Sequence, residues 1–222
     1  LRFPKPHRIV EVAEALGVPV IGDIELLAGA INALPPAQRP KVIGITGTNG
    51  KSTTTALIGH ILKTCGRDAY VGGNIGLGVL DLPPIHAGAH YVLELSSYQL
   101  DLTHSLRCNA AVLLNLSPDH LDRHGSMDNY IAAKKRIFLN QELDDWAVVG
   151  VDDSITQGIC TQLVGQHDRR VAPIASGQTL GRGVSVVGGK LYDSLDGRAS
   201  EVADLAKAKA LRGRHNHQNA AA

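Results

Sequence analysis

Lys51, Ser52 and Thr53 stand directly behind a glycine-rich turn in VIGITGTNGKSTTT, residues 42–55. One ammonium and two hydroxyls placed there can hold a polyphosphate and its magnesium ion. Gly44, Gly47 and Gly50 let the backbone curl closely around an anion, so that the loop amides, those of Thr48 and Asn49 among them, face inward. The helix that starts beside Lys51 adds the positive end of its dipole. The pattern G-x-x-x-x-G-K-[ST] would put its first glycine at position 45, which is Ile45; here that glycine is Gly44, with Gly47 added between, so the loop is a variant. The plainer reading, a strand-to-helix turn with a solvated lysine, requires G-K-S-T to coincide by chance with a strand before it and a helix after it.

Other residues could do chemistry at further points of the chain. Glu94 ends the apolar run HYVLEL and leads into Ser96-Ser97. A buried carboxylate there needs a partner or a metal, and it could reach a nucleotide's Mg²⁺; alternatively it turns to water. SPDHLDRHG, residues 117–125, crowds Asp119, His120, Asp122, Arg123 and His124 together, to bind or merely to cap a helix. Lys134 falls in the middle of an apolar arc made by Tyr130, Ile131, Ile137 and Phe138, with Arg136 pointing away. Burial there would favour a neutral, nucleophilic amine, able to take up CO₂ as a carbamate and so become a metal-binding carboxylate. The alternative is a snorkelling lysine whose stem covers apolar surface. GGNIG, residues 72–76, offers one ligand-binding amide, Asn74, and His215, Asn216 and Asn219 either cap the last helix or face a base or ribose.

Elements that would position these groups follow from hydrophobic period. Helices are expected at 7–16, from Asp23 to about Ile31, 50–64, 126–140 and 153–164, and strands at 18–21, 42–46, 68–72, 90–95, 110–115, 146–150 and 170–175. From Lys41 onward, strand and helix alternate. That rhythm implies an α/β fold: a mainly parallel sheet, helices on both faces, and ligands gathered at the carboxyl ends of the strands. Gly188-Gly189 within VSVVGGKLYD marks a small additional β-hairpin. A proline-rich linker near 34–40 sets a boundary between residues 1–39, too few for a core, and a nucleotide-binding domain from 40 to 222. Residues 1–39 would then be the remnant of a preceding domain, or pack onto the next.

With 22 basic and 21 acidic residues no overall field draws the chain to nucleic acid or to a membrane, and 4% aromatics argues against a base-stacking surface. No apolar run approaches the roughly 20 residues of a membrane span. Three cysteines without metal or C-x-x-C spacing suit a reducing cytoplasm. Leu1 at the start and uncapped alanines at the end look like cut ends, so a fragment is expected.

Six ordered blocks, TGTNGKST (46–53), GGNIG (72–76), LELSSYQL (93–100), NLSPDHLDRHGS (115–126), YIAAKKRIF (130–138) and LRGRHNHQNAAA (211–222), resemble the ATPase domain of the Mur ligase family. The resemblance runs from about residue 41 to the end. Within the family, ELSSYQL and GGNIG are most similar to the branch that joins D-glutamate to UDP-N-acetylmuramoyl-L-alanine in peptidoglycan precursor synthesis. The resemblance implies an ATP-dependent amide ligase using two Mg²⁺ ions. Lys51 with Gly47, Thr48, Asn49, Gly50, Ser52 and Thr53 would hold the ATP, and Ser52 and Glu94 the first ion. His120 and a carbamylated Lys134 would hold the second, near the substrate carboxylate. Asn74 and Ser96 would contact the UDP-muramoyl substrate, and Asn216 with Asn219 would lie near the nucleotide base. It further implies a cytoplasmic monomer. This central portion alone, lacking most of the family's first domain and all of its last, is expected to bind Mg·ATP weakly and not to ligate. Two other readings stay open: a family branch with a different amino acid, and a nucleotide-binding module without catalysis, independent of Lys134 and His120.

Overall fold

The computed structural model describes residues 7–211 and 213–222. The first six residues of the leading segment, and Arg212 in the last block, lie outside the described residues. Among the described residues nine strands form one sheet in the order β2-β3-β1-β4-β5-β6-β7-β8-β9. They are β1 (Lys41–Thr46), β2 (Asp68–Gly73), β3 (Ala89–Glu94), β4 (Ala110–Leu113), β5 (Trp146–Gly150), β6 (Arg170–Ser176), β7 (Val184–Val187), β8 (Lys190–Asp193) and β9 (Ser200–Asp204). Every pairing from β2 to β7 is parallel, and the last two are antiparallel. β1 lies between β3 and β4, where the chain order reverses direction across the sheet, and this is where an open α/β sheet leaves a crevice at its carboxyl edge.

Helices cover both faces because central parallel strands are apolar on both sides. One core holds the inner sides of α2 (Asp23–Asn32), α6 (Met127–Lys135) and α7 (Ser154–Gln166) against Tyr91, Leu93, Ala111 and Leu113. The other holds Ile58 and Leu62 of α3 (Lys51–Thr64) and Ala221 of α8 (Arg214–Ala221) against Ile45, Val92, Val112 and Ile174. α2 therefore shares the main core, and its Glu25 accepts the N–H groups of His104 and Ser105, tying it to the connection before β4. By contrast α1 (Arg8–Ala15) buries none of its residues. Among the described residues no helix is long and apolar enough to cross a membrane.

Several expectations need correction. Residues 18–21 form no strand, since no neighbouring strand pairs with them and Val18 and Ile21 stay exposed. The helix expected through 140 ends at Lys135 and tightens into a 3₁₀ turn, Arg136–Phe138. Asn140 stops it, at φ 60° and with its amide donating to His104 O and Leu106 O. β4 ends at Leu113, two residues early, because Asn115 is turned toward the loop after β1. β9 and the short helices α4 (Ser97–Asp101) and α5 (Leu121–His124) were not foreseen. The hairpin is present as expected, with Gly188 and Gly189 both at positive φ, as a primed turn requires.

Gly44 is not part of the glycine turn after β1. It sits inside β1 opposite Leu93 and Ala111, and a Cβ there would stand 2.7 Å from Cys108 Sγ and 3.3 Å from Ile137 Cδ1. Its small size is a packing requirement. Gly44→Ala is expected to destabilise the fold by about 1–3 kcal/mol through overpacking, read as a lower denaturant midpoint, with nucleotide affinity of the folded fraction unchanged. A loss of nucleotide affinity at unchanged stability would return Gly44 to the loop.

Candidate functional site

The turn between β1 and α3 has the form its glycines dictate. Gly47 (φ 150°) and Gly50 (φ 85°) take conformations that L side chains rarely adopt, and Gly50 caps α3. Space demands glycine as well: a Cβ on Gly50 would meet Asn219 Oδ1 at 2.2 Å, and one on Gly47 would press Leu114 Cβ at 3.1 Å. The first-turn N–H groups of α3 open beside this turn, where an anion would be held. Lys51 Nζ folds back and donates to Gly47 O at 3.0 Å and Thr48 O at 2.9 Å. Phosphate oxygens would have to draw it away from those carbonyls.

Glu94, at the end of β3, is almost fully buried. Its oxygens are satisfied separately: Ser52 Oγ donates to Oε2 at 2.7 Å and Asn74 Nδ2 donates to Oε1 at 2.8 Å. Ser52 and Glu94 thus offer adjacent hard oxygens, the donor set Mg²⁺ takes together with water and phosphate oxygens. Among the described residues no three His, Cys, Asp or Glu side chains gather as a metal cage, so an ion here would need those further ligands. Asn74 lies where the GGNIG loop follows β2, with its amide engaged by Glu94 while its side lines the neighbouring cavity.

Lys134 is 2% exposed, and the buried part includes its amine. Nζ donates to Gly47 O at 2.9 Å and Thr46 Oγ1 at 3.2 Å and lies 4.9 Å from the centre of the Tyr130 ring. A snorkelling side chain would carry its charge to water, which this one does not. Burial first, and the nearby Lys51 ammonium second, lower its pKa from 10.5 to about 7, against the pull of Asp119 and Glu94. Gly47 O therefore accepts from two lysines at once. Tyr130 OH meets Thr48 Oγ1 at 3.1 Å, and that hydroxyl also accepts the Ser117 N–H, so α6, the turn between β1 and α3 and the segment bearing His120 are tied at one point. His120 caps α5 in the left-handed region, φ 52°, with Nε2 3.5 Å from Asp119 Oδ2 and its ring edge-on to Tyr98.

Two cavities share the turn between β1 and α3 as a wall. One, of about 730 Å³, brings together Lys51, Asn74, Ser96, His120 and Lys134. Val20 and Ile21 also line it, so the segment ahead of α2 forms part of this wall. Ser96 is the cap of α4, donating to Gln99 Oε1 and accepting the Gln99 N–H. The other, of about 890 Å³, is lined by Asn49, Gly50, Thr53 and Asn219. Asn216 is not on its wall; its Oδ1 accepts from Asn219 Nδ2 at 3.2 Å, from behind. This second cavity also contains Asn115, Asp152, Asp153, Gln178 and Gln218, none of which motif reasoning had singled out. The available signal was position, because Asn115, Asp152 and Gln178 each follow a parallel strand at its carboxyl end.

Residues 45–222 match the Mur ligase middle domain. The whole chain is 62% identical to the UDP-N-acetylmuramoylalanine–D-glutamate ligase of Caulobacter vibrioides, over 47% of that protein. The chain thus spans about half the length of the curated relatives it matches. In fold it is similar to the UDP-N-acetylmuramate:L-alanyl-gamma-D-glutamyl-meso-diaminopimelate ligase of Neisseria meningitides, with a TM-score of 0.62 at 21% identity over 97% of this chain and 68% of the other. It is also similar to the MurF ligase of Thermotoga maritima in complex with ADP, with a TM-score of 0.60 at 18% identity, covering 91% and 48% of the two chains.

Proposed function

The chain belongs to the Mur ligase family, whose middle domain it carries, and from that premise we propose that it is the ATP-binding centre of an amide ligase adding D-glutamate to UDP-N-acetylmuramoyl-L-alanine. The observation that carries this reading is the pair of cavities that flank the turn at residues 47–53, one lined by Asn49, Gly50, Thr53 and Asn219 and the other by Lys51, His120 and Lys134. ATP occupies the first, with its base near Asn219 and its phosphates along residues 47–53. The muramoyl substrate enters the second, past Asn74 and Ser96. Lys51 then lies where a phosphoryl group passes from one ligand to the other, and its charge offsets the charge that builds up in that transfer.

Ser52 and Glu94 would hold one Mg²⁺, and His120 with a carbamylated Lys134 a second; such ions supply further neutralisation of phosphate charge. Transfer to the substrate carboxylate gives an acyl phosphate, and the D-glutamate amine displaces the phosphate to form the amide. The chain's own residues position and exclude water rather than form covalent bonds to the substrate. The site suits a cytoplasmic enzyme acting on soluble nucleotides.

Phosphate release by the intact protein tests this. It should require ATP, UDP-N-acetylmuramoyl-L-alanine and D-glutamate together, with L-glutamate or diaminopimelate supporting less than about one-hundredth of the rate, as loss of the substrate-specific contacts implies. Equal turnover with another amino acid would reassign the branch, and nucleotide binding without any ligation would leave only a binding module.

A further inference from the structure

Three side chains outside the proposed catalytic cluster form one line of hydrogen bonds from the phosphate loop to the end of β6. Asn115 grips Asn49 from both sides: the Asn49 N–H donates to Asn115 Oδ1 at 2.9 Å, and Asn115 Nδ2 donates back to Asn49 O at 3.2 Å. The same Nδ2 donates to Gln218 Oε1 at 2.9 Å. Gln218, buried on α8, passes the line on through Nε2 to Asp152 Oδ2 at 2.9 Å. Both Asp152 oxygens accept the Ser176 N–H at 3.0 Å.

The direction of this line is fixed from one end. A carboxylate only accepts, so Gln218 must turn its NH₂ to Asp152 and its oxygen to Asn115. Asn115 must then present NH₂ to Gln218, which leaves its oxygen for the Asn49 N–H. Gly150 keeps the path open, since a Cβ there would stand 2.7 Å from Gln218 Nε2 and 1.8 Å from Leu114 O. Resting on the nucleotide-binding reading above, we propose that Gln218 is a positioning residue for ATP: it transmits the polarity of Asp152 to Asn115 and so holds the phosphate loop at Asn49 in its binding conformation. Residues of the line wall the nucleotide cavity, and none of the three side chains lines the cavity of Lys134.

The test uses the intact protein, with Mg·ADP as the probe, and measures its affinity together with KM for the muramoyl substrate and the melting temperature. Gln218→Glu sets a second carboxylate against Asp152, and Mg·ADP affinity should fall about tenfold or more, the factor set by loss of a hydrogen bond to a charged group. KM for the muramoyl substrate should stay within about twofold, because that ligand uses the other cavity. Asp152→Asn combined with Gln218→Glu rebuilds the line with one step reversed: the new amide donates to the new carboxylate, which still accepts from Asn115, and the Ser176 N–H keeps an acceptor. Affinity should then return to within about threefold of wild type, a coupling that a double-mutant cycle reads directly. Gln218→Met, which keeps volume without polarity, should weaken Mg·ADP like Gln218→Glu and covers the case in which the glutamate variant does not fold. Wild-type affinity in a folded Gln218→Met or Gln218→Glu, or a double variant no better than Gln218→Glu alone, overturns the proposal. Failure of the wild-type protein to bind Mg·ADP would remove the nucleotide reading itself, and this inference with it.

Discussion

Lys51→Ala is expected to weaken Mg·ATP binding at least about a hundredfold, the loss of about 3 kcal/mol that follows when one charge of a desolvated pair is removed. Its effect on the fold should be small, because the two hydrogen bonds that the Lys51 amine makes among the described residues both go to carbonyls of its own turn. Isothermal titration with Mg·ADP, set beside a melting curve, separates the two quantities. A second consequence distinguishes loss of a phosphate ligand from general damage. The Lys51 ammonium is one of the groups holding down the pKa of Lys134, so its removal should let that pKa move back up from about 7. Nucleotide affinity equal to wild type would sink the phosphate-loop assignment outright.

How far the chain could be read depended on whether an arrangement was local. The glycine turn between β1 and α3 was legible because strand, turn and helix are contiguous, and the burial of Lys134 because helical phase alone places it among Tyr130, Ile137 and Phe138. The hairpin was legible through its two glycines. Gly44 misled, since a glycine inside a strand and a glycine in a turn look alike until Cys108 is seen 2.7 Å from where a Cβ would stand. Residues 18–21 misled for a related reason, as β-branched residues make a strand only where a neighbour pairs with them. β9 carries no alternation to betray it, being an exposed edge strand held mainly by its ladder to β8. The line through Asn115, Gln218 and Asp152 was the least accessible. Asn115 and Gln218 are 103 residues apart, and Gln218 and Asp152 are 66 apart. The pairing of β4 with β5 brings Asn115 and Asp152 together, and the packing of α8 against β6 and β7 brings Gln218 to them.

Lys134→Ala should lower ligation by the intact protein about a hundredfold or more, the scale on which loss of an electrostatic group aimed at the transferring phosphoryl reduces turnover. The amine's environment makes the chemistry specific. With a pKa of about 7, Lys134 is largely the neutral, nucleophilic form at pH 8, and that form can take up CO₂ as a carbamate, exchanging a cation for a carboxylate beside the proposed metal ligands. The same shift has a sign that can be measured without substrate. Between about pH 7 and 10.5 the unfolded chain holds a proton on Lys134 that the folded chain lacks, so in CO₂-free buffer stability contributed by this group should rise with pH across that window. Lys134→Met should flatten the rise. Because truncating a buried side chain also leaves a cavity, the Lys134→Ala rate is informative only alongside its melting temperature. Chemical rescue then separates the two charge states. A short carboxylic acid can enter the vacated space and supply the acceptor that a carbamate would have provided, whereas a short amine restores only a donor to Gly47 O and Thr46 Oγ1. Recovery with the acid is the expected result; recovery with the amine alone, in a variant that stays folded, would leave Lys134 as a cation bracing the phosphate loop.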